Sequence, residues 1–401
     1  MSASRRSWLQ GAGLLGLWPF SRLAVAARPP RRVYEELGIR PLINFQGTTT
    51  ATGASKMVPE LHDAMAEASS SFVFLEELQR KAGERIARLC GTEDAMVTTG
   101  AAGAIALGTC AALTGDDVQK VRRLPDLTGM KNEVVIQKAH RNGYDHAVRS
   151  AGVRIVEVNT ADELAAALGA NTAMLYYLGG TSHDWEWEIP IPLETCLPLC
   201  KKAGVPVLVD AANMLPPWGN IPKLAAVGVD MIAISGGKHI RGPQCSGVLA
   251  GRKDLLRAAW LNSSPHADSH GRPMKAGREE IVGCWLAIER YAKLDFDEID
   301  RQSSAQADYL IREFSRLPGL SAAKLPFDRT RRVHRVHLTW DEQKFGLTAR
   351  DVEQQLVEGD PRIVVLRNKT QGLEFTVFMN DPGDEKLAAR RVREIFSRAR
   401  S

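Results

Sequence analysis

An aspartate and a lysine follow two successive apolar segments near the middle of the chain. Val205 to Val209 leads into Asp210, and Met231 to Ile234 leads through Ser235-Gly236-Gly237 into Lys238. Both segments are typical of buried strands joined by a helical connection. Because parallel strands end at the same edge of a sheet, where α/β folds bind ligands, we expect the carboxylate and the amine to lie close together.

This pair has the chemistry that pyridoxal 5'-phosphate requires. A lysine forms an imine with the aldehyde of that cofactor, and a carboxylate keeps the pyridine nitrogen protonated, so that the ring accepts electrons. We therefore predict that Lys238 and Asp210 are catalytic and bind the cofactor. A solvated lysine is the alternative, and the buried strand before it argues against that interpretation. We expect Gly236 and Gly237 to let the backbone approach the ligand, since they lack a Cβ.

A Gly/Ala-rich segment predicts a phosphate site. The residues from Thr98 to Gly103 follow an apolar segment that ends at Val97, and they open a predicted helix. Free backbone N–H groups at a helix N-terminus bind phosphate, and small residues allow close access. The predicted phosphate ligands are Thr99, Gly100, Ala101 and Ala102, with Ser235 as a further donor.

His140 follows the apolar segment that begins at Val134. An imidazole at the carboxyl end of a strand is suited to stack on a pyridine ring, and we predict that role for His140. A metal site with His146 would lack further ligands, so we expect no metal. A loop histidine held by local hydrogen bonds is the remaining alternative.

The elements that would position these residues alternate between strands and helices. The predicted strands of the first part are short apolar segments at 95–97, 134–136, 153–158, 174–177, 205–209 and 231–234. The predicted helices of this part lie at 61–89, 101–113, 193–202 and 223–227. This alternation predicts an α/β fold whose mostly parallel sheet carries helices on both faces.

The chain is expected to have several parts. Residues 28–59, rich in Gly and Pro, predict an extended N-terminal arm, and residues 60–262 a large cofactor-binding domain. Residues 263–401 predict a linking helix and a small α+β C-terminal domain. Its predicted helices lie at 279–291, 305–314, 349–356 and 385–398, and its strands at 333–340, 363–366 and 373–378. A segment with two tryptophans, 181–188, could cover a substrate, but we leave it out of the predicted site.

The first 27 residues resemble an export signal. Arg5-Arg6 precedes an uncharged apolar run from Gly11 to Phe20, and small residues follow at 24–27. The run is shorter than the ~20 residues that cross a bilayer. We expect a twin-arginine-type signal peptide over 1–27, a periplasmic protein and no stable membrane anchor.

Composition narrows the function classes. A net charge of +5 over 401 residues gives no basic stripe, which argues against nucleic-acid binding. The six cysteines form no C-x-x-C pair, and we expect them to be buried small hydrophobes.

Together these segments resemble the selenocysteine-synthase-like branch of fold-type I pyridoxal-phosphate enzymes, which includes D-glucosaminate-6-phosphate ammonia-lyase. The stretches that carry the resemblance are 43–48 with Thr50 and Gly53, Thr99-Gly100-Ala101-Ala102, Asp210-Ala211-Ala212, Ser235-Gly236-Gly237-Lys238, Gly242-Pro243-Gln244, and 272–275 with Glu279-Glu280. The resemblance implies an aminotransferase-like fold and a homodimer or higher homo-oligomer, with active sites that the N-terminal arm helps to build. The sequence from His140 to Asp145 is similar to the lyase-like members, and an exported protein would not meet aminoacyl-tRNA, so selenium transfer is disfavoured.

The resulting functional hypothesis is α,β-elimination of ammonia from a hydroxy or sugar amino acid. Lys275, Arg241 and Arg362 are the candidate anchors for the acidic groups of such a substrate, with surface charges as the alternative. Racemase, aldolase and aminotransferase chemistry share the first steps and stay open. A cofactor-binding relative without turnover stays open as well, and a transcriptional regulator is disfavoured because no helix-turn-helix is evident.

Overall fold

The computed structural model describes residues 32–180, 190–327 and 331–399. The expected signal peptide and the tryptophan-containing segment 181–188 lie outside the described residues. Residues from Leu42 onward form one compact unit, and the residues before it form a separate unit. In that first unit the described residues contain a single helical turn, α1 (Val33–Glu36), where we expected only extended chain. The second unit begins with a short strand, β1 (Leu42–Asn44).

A mostly parallel sheet occupies the centre of the second unit. In the described residues its strands are β2 (Asp94–Thr99), β3 (Glu133–Gln137), β4 (Arg154–Val158), β5 (Thr172–Leu178), β6 (Val207–Asp210), β7 (Met231–Ser235) and β8 (Ser246–Gly251). Their order is β2-β8-β7-β6-β5-β3-β4, and β8 alone runs antiparallel to its neighbours. The predicted α/β fold is confirmed.

Helices cover both faces of this sheet. They are α2 (Glu60–Ser69), α3 (Leu75–Cys90), α4 (Gly100–Thr114), α5 (Val118–Arg123), α6 (His146–Arg149), α7 (Ala161–Ala167), α8 (Leu193–Ala203), α9 (Asn220–Ala226), α10 (Lys253–Leu261) and α11 (Arg278–Tyr291). Successive residues of a strand face opposite ways, so Val207 and Val209 enter one hydrophobic cluster and Leu208 the other. Because both faces are buried, the strands read as unbroken apolar runs, which is why the sequence reveals them.

The C-terminal part has its own sheet and core. Its elements are α12 (Phe296–Ser315), β9 (Leu320–Lys324), β10 (His334–Trp340), α13 (Glu342–Phe345), α14 (Ala349–Glu358), β11 (Arg362–Val364), β12 (Leu366–Arg367), β13 (Leu373–Val377) and α15 (Asp384–Arg398). An antiparallel sheet has the order β12-β13-β10-β9, and β11 pairs in parallel with β1. Phe45, fully buried, packs edge-on against Phe375 with 5.7 Å between ring centroids. The chain just after β1 therefore joins the C-terminal core. The predicted domain boundary at 262 stays a prediction.

The predicted helix over 61–89 is wrong in one respect, because it is two helices. α2 ends at Ser69 and α3 begins at Leu75. The hydroxyls of Ser69 and Ser70 donate to the carbonyls of Ala66 and Glu67 at 2.7 Å each. Serine side chains compete in this way with the backbone hydrogen bonds that would continue a helix.

Other differences lie at the edges of elements. The predicted strand 363–366 is divided between β11 and β12, which belong to different sheets. α12 begins at Phe296, well before the predicted 305, because the Asp295 carboxylate accepts from the backbone N–H groups of Asp297 and Glu298. The cysteines are buried as expected except Cys245, which is exposed.

Candidate active site

The predicted acid and amine lie at the carboxyl edge of the central sheet. β6 and β7 are neighbouring parallel strands with Asp210 opposite Ala233, so Asp210 and Lys238 leave the sheet on the same side. The Lys238 Nζ donates a hydrogen bond to Asn213 Oδ1 at 3.0 Å. Asn213 lies in the turn that follows Asp210. The expected juxtaposition of carboxylate and amine is therefore present.

The environment of Lys238 favours its neutral amine. Burial lowers the pKa of Lys238, the Asp210 charge opposes that shift, and the Arg331 charge lowers the pKa further. A free amine is the form that attacks an aldehyde or removes a proton, and such lysines are activated by desolvation or a second cation. Lys238 therefore has the properties of a nucleophile or general base.

Asp210 is the acid of the site and is only 5% exposed. Its Oδ1 accepts from the Ala212 N–H at 2.9 Å, and its Oδ2 accepts from the Tyr176 hydroxyl at 2.9 Å. Burial raises the pKa of Asp210, while the Ala212 N–H, the Lys238 charge and the Tyr176 hydroxyl lower it. Because a carboxylate offers about four acceptor positions, Asp210 keeps capacity for a further N–H donor.

The glycines before Lys238 allow close packing within the protein, and their predicted approach to a ligand stays a prediction. A Cβ on Gly236 would lie 2.4 Å from Ser246 Oγ, and a Cβ on Gly237 would lie 2.4 Å from the Gln244 carbonyl oxygen. These glycines are therefore required by the close approach of the chain from Gln244 to Ser246. Their packing fixes the turn that presents Lys238.

The predicted phosphate turn lies at the start of α4, beyond the carboxyl end of β2. Gly100 has a φ of 68°, in the left-handed region that glycine tolerates. Thr99, at the N-cap, makes no side-chain capping hydrogen bond. The first-turn N–H groups of α4 are therefore not occupied by that hydroxyl. A Cβ on Gly247 would lie 2.3 Å from the Gly100 carbonyl carbon, so β8 packs directly beneath the turn.

Ala101 is half-buried and Ala102 is exposed in this turn, and Ser235 ends β7 half-buried. All the predicted phosphate ligands thus lie at ends of strands of the same sheet or at the helix that follows one. Their contact with a phosphate stays a prediction.

His140 is 1% exposed at the end of the 3-10 turn that follows β3. Burial lowers the pKa of His140 to about 4, which makes the ring neutral near pH 7. Its Nδ1 lies 3.3 Å from the Leu178 N–H and accepts from it, so the proton is assigned to Nε2. The ring packs edge-on against Tyr177 with 4.8 Å between centroids. A buried, neutral and oriented ring has the form that stacking requires.

The segment after β1 packs on the Lys238 turn. Ser55 Oγ donates to the Gly237 carbonyl at 2.8 Å, and Gln244 Nε2 donates to the Thr50 carbonyl at 3.0 Å. Arg241, which has a φ of 60°, donates from Nε to the Lys56 carbonyl at 2.8 Å. Arg241 thus contacts the arm through Nε, and its predicted role as a substrate anchor stays a prediction.

The other two predicted anchors differ in their surroundings. Arg362 Nε donates to the Val357 carbonyl at 3.1 Å, and Lys275 is exposed. The cation whose charge acts on Lys238 is instead Arg331, just before β10. Sequence reasoning missed Arg331 because it lies far along the chain, in a basic stretch with Arg332 that carries no motif.

Three further residues of the site were missed. They are Tyr176, which contacts Asp210, Asn213, which contacts Lys238, and His239, whose ring lies 4.4 Å from that of Phe378. Tyr176 stands inside an apolar strand, where a tyrosine reads as core. Asn213 and His239 could have been found from the sequence, since Asn213 directly follows Asp210-Ala211-Ala212 and His239 directly follows Lys238.

These residues fit pyridoxal phosphate. The site combines a buried amine, a buried carboxylate with acceptor capacity to spare, an uncapped helix N-terminus and a neutral histidine ring, which match the aldehyde, ring nitrogen, phosphate and ring face. Among residues 32–180, 190–327 and 331–399, no group of three or more His, Cys, Asp or Glu side chains could hold a metal ion. No helix within these ranges is long and apolar enough to span a bilayer.

The chain is similar to known proteins over nearly its full length. It is 32% identical to the D-glucosaminate-6-phosphate ammonia lyase of Salmonella typhimurium over 92% of this chain and 98% of that one. It is 31% identical to the 5'-C-glycyluridine monooxygenase-decarboxylase of a Streptomyces species, over 90% and 92% of the two chains. A solved structure of D-glucosaminate-6-phosphate ammonia-lyase superposes with a TM-score of 0.80 at 30% identity, covering 93% of this chain and all of that one.

The aminotransferase class-V family model matches residues 132–355, which include His140, Asp210 and Lys238. The predicted resemblance and fold are confirmed by these similarities. The buried lysine and aspartate at the sheet edge, on this fold and within these matches, establish that the chain belongs to the aminotransferase class-V family of pyridoxal-phosphate-dependent enzymes.

Proposed function

We propose that this enzyme is a lyase that eliminates ammonia from an amino acid bearing a β-hydroxyl, with sugar amino acids as the leading substrate class. The observation that carries the proposal is the Lys238 amine, whose pKa is lowered by burial and which lies beside the Asp210 carboxylate. An amine of this kind can remove the Cα proton that such an elimination requires. The similarity to an ammonia lyase along nearly the whole chain supports the same reaction.

Each residue has a defined task in this proposal. When bound, pyridoxal phosphate would supply an aldehyde for the substrate amine and a ring that withdraws electrons from the α-carbon. Asp210 holds a proton at the pyridine nitrogen, and the first-turn N–H groups of α4 bind the phosphate. Lys238 takes the Cα proton with its free amine, and Asn213 orients that amine. Departure of the β-hydroxyl and hydrolysis then give a 2-oxo acid and ammonia.

Arg331 is our proposed anchor for an acidic group of the substrate. Its charge reaches both Lys238 and His239, so an anion held there would lie next to the reacting amine. Arginine binds carboxylate and phosphate through paired N–H donors, which also orients the ligand. Lys275, Arg241 and Arg362 stay candidates for a more distant acidic group.

The test is a screen of D- and L-hydroxyamino acids and sugar amino acids with purified cofactor-loaded protein, measuring ammonia and 2-oxo acid. We expect both products from at least one substrate, and none with Lys238→Ala. Lys202→Ala, at an exposed lysine on α8, is the matched control and should behave as wild type. Cofactor-loaded protein that binds these substrates without releasing ammonia would overturn the lyase proposal.

A second candidate is oxidative decarboxylation, because the chain is about as similar to the monooxygenase-decarboxylase as to the ammonia lyase. The same screen separates the two reactions when run with and without dioxygen. Carbon dioxide released only in the presence of dioxygen indicates the second candidate. Ammonia released equally under both conditions indicates the lyase. Racemisation, aldol cleavage and amino transfer would be recognised by their own products.

We also propose a homo-oligomer. The segment between α2 and α3 exposes Phe72 at 98% and Phe74 at 82% of their surface, and Leu75 follows at once. Adjacent exposed aromatic residues of this kind mark protein interfaces. Light scattering should show a dimer or larger assembly that Phe72→Ser with Phe74→Ser weakens. Val118→Ser, at an exposed valine elsewhere, should leave the assembly intact.

Export through a twin-arginine-type signal is proposed on the sequence of residues 1–27 alone. Conservative replacement of Arg5 and Arg6 by lysine should leave the precursor in the cytoplasm if the pair is the recognised element. Cell fractionation measures this. Equal periplasmic yield from both forms would contradict the proposal.

A further inference from the structure

Within residues 32–180, 190–327 and 331–399, the Asp210 carboxylate has one side-chain hydrogen-bond donor, and that donor is Tyr176. The Tyr176 hydroxyl lies 2.9 Å from Oδ2, while the Ala212 backbone N–H lies 2.9 Å from Oδ1. Tyr176 belongs to β5, the strand next to β6, and it lies opposite Leu208. Its ring is fully buried, so the packing of the sheet fixes the position of its hydroxyl.

The hydroxyl can act only as a donor to Asp210. Burial and the nearby Asp210 charge hold the pKa of Tyr176 far above its ordinary range, and the Asp145 charge adds to this. The phenol therefore stays protonated at every working pH. A hydrogen bond from O–H to a carboxylate is among the stronger ones in proteins, particularly where water is excluded.

This bond matters because Asp210 would otherwise be poorly stabilised as an anion. Burial raises the pKa of Asp210, and the groups that lower it are the Ala212 N–H, the Lys238 charge and the Tyr176 hydroxyl. The Lys238 charge is not a constant contribution, since the amine has to be neutral to react. The Ala212 N–H and the Tyr176 hydroxyl are therefore the two groups whose lowering of the Asp210 pKa does not depend on the protonation of Lys238.

We propose that Tyr176 is a positioning residue that keeps the Asp210 carboxylate ionised and aimed at the pyridine nitrogen of the cofactor. The bond from Tyr176 fixes Oδ2, and the bond from Ala212 fixes Oδ1, so the carboxylate cannot rotate without losing one of them. The remaining acceptor positions of the carboxylate are available to a donor other than Tyr176 and Ala212. The proposal concerns cofactor binding and is independent of which reaction follows.

The test compares two cofactors in the full-length chain. Tyr176→Phe removes the hydroxyl alone, and Tyr291→Phe is the matched control, because the Tyr291 hydroxyl is buried without a hydrogen-bond partner among the described residues. Dissociation constants are measured for pyridoxal phosphate and for an analogue in which a C–H group replaces the ring nitrogen. The natural cofactor reports on the interaction with Asp210, and the analogue lacks it.

We expect Tyr176→Phe to weaken binding of pyridoxal phosphate about tenfold, as for loss of a hydrogen bond to a buried charged group, and to leave binding of the analogue within about twofold. Tyr291→Phe should change neither constant. Equal weakening of both cofactors, or of neither, would overturn the proposal, because a residue that only packs would not distinguish a ring nitrogen from a C–H group.

A double variant tests the proposal if Tyr176→Phe alone does not fold. In an Asp210→Asn background, Tyr176→Phe should have no further effect on cofactor affinity. If the single variant is insoluble while the double variant is soluble, the hydroxyl serves the carboxylate, as proposed. Insolubility of both would assign Tyr176 to packing and overturn the proposal.

Discussion

Two buried aspartates in this molecule have opposite environments. Asp145 is 1% exposed and Asp210 is 5% exposed. Arg141 Nε donates to one oxygen of Asp145 at 2.6 Å, and Arg149 Nε donates to the other at 2.9 Å. Burial alone would raise the pKa of Asp145, but the two arginines outweigh it and lower the pKa. Asp210, without an arginine, has a raised pKa.

We interpret this difference as that between a structural carboxylate, Asp145, and a functional one, Asp210. Asp145 has two permanent cations, so its charge is neutralised by its own chain and ties the loop after β3 to α6. Asp210 has one hydroxyl, one N–H and a lysine that must at times be neutral. A buried carboxylate without a permanent cationic partner is stabilised most by a further cationic donor. A protonated pyridine nitrogen is such a donor.

The largest expected effect is that of Asp210→Asn. The amide has the same shape but no charge, so it cannot hold a proton at the pyridine nitrogen, and we expect a loss of turnover of about a thousandfold. Ammonia release under saturating substrate measures it, and the visible absorbance of the bound cofactor should change as well. A variant with near wild-type turnover would remove Asp210 from the chemistry.

Asp145→Asn should instead act on stability. The amide weakens the ion pairs of this position with Arg149 and with Arg141, which also pairs with Glu157. Because both arginines are partly exposed, we expect the free energy of unfolding to fall by about 2 kcal/mol. Turnover of the folded fraction should change little, in contrast to Asp210→Asn. Denaturant unfolding measures the effect, with Asp268→Asn, in an exposed pair with Arg122 at 3.7 Å, as the control of less than about 1 kcal/mol. Equal stability losses for Asp145→Asn and Asp268→Asn would contradict the structural role of Asp145.

His140 shows how burial of an ionisable group affects stability as the pH changes, because its ring is buried in the neutral form. Its folded-state pKa of about 4 lies below the unfolded value of 6.5, so the unfolded chain binds more protons between those values. The stabilising contribution is therefore present above about pH 6.5 and is lost as the pH falls toward 4. From about pH 7 to about pH 5 the loss should be about 2 kcal/mol.

His140→Phe should remove this acid-dependent loss, and unfolding free energies measured at both pH values would show it. His62→Gln, at an exposed histidine on α2, should keep the wild-type pH dependence. Equal acid sensitivity of wild type and His140→Phe would contradict the burial of a neutral imidazole.

Much of the central fold could be predicted because both faces of its sheet are buried. The strands are apolar runs, and Gly91 ends α3 in a left-handed conformation, as a C-cap glycine does. β8 was missed because Ser246-Gly-Val-Leu-Ala-Gly has little β-branched content, and its glycines are needed where neighbouring backbone comes close. In the C-terminal part, short strands from distant segments pair, and local sequence does not specify such partners.

The site residues that could be predicted from sequence are those that follow the ends of strands. A residue in that position must lie at the carboxyl edge of the central sheet. Asp210, Lys238 and His140 belong to this group. Tyr176 and Arg331 were missed, because the first is within a strand and the second lies in the chain just before β10, far from Lys238 in sequence. Their roles depend on which side chains meet in three dimensions.

Arg331 provides the smallest of the expected effects. We expect Arg331→Gln to raise KM about tenfold with little change in kcat, as for loss of one anchoring interaction made equally in the ground and transition states. Arg332→Gln is the matched control, since the neighbouring arginine is half exposed and pairs with Asp297 at 2.9 Å.

A second measurement does not depend on the substrate. Burial sets most of the lowered pKa of Lys238, and Arg331 contributes a further lowering, so Arg331→Gln should raise that pKa. The free amine is then less abundant at a given pH, and the absorbance change that reports cofactor attachment should move to higher pH. A rise in KM without this shift would place Arg331 at the substrate but away from Lys238. The shift without a change in KM would leave the acidic group of the substrate to Lys275 or Arg362.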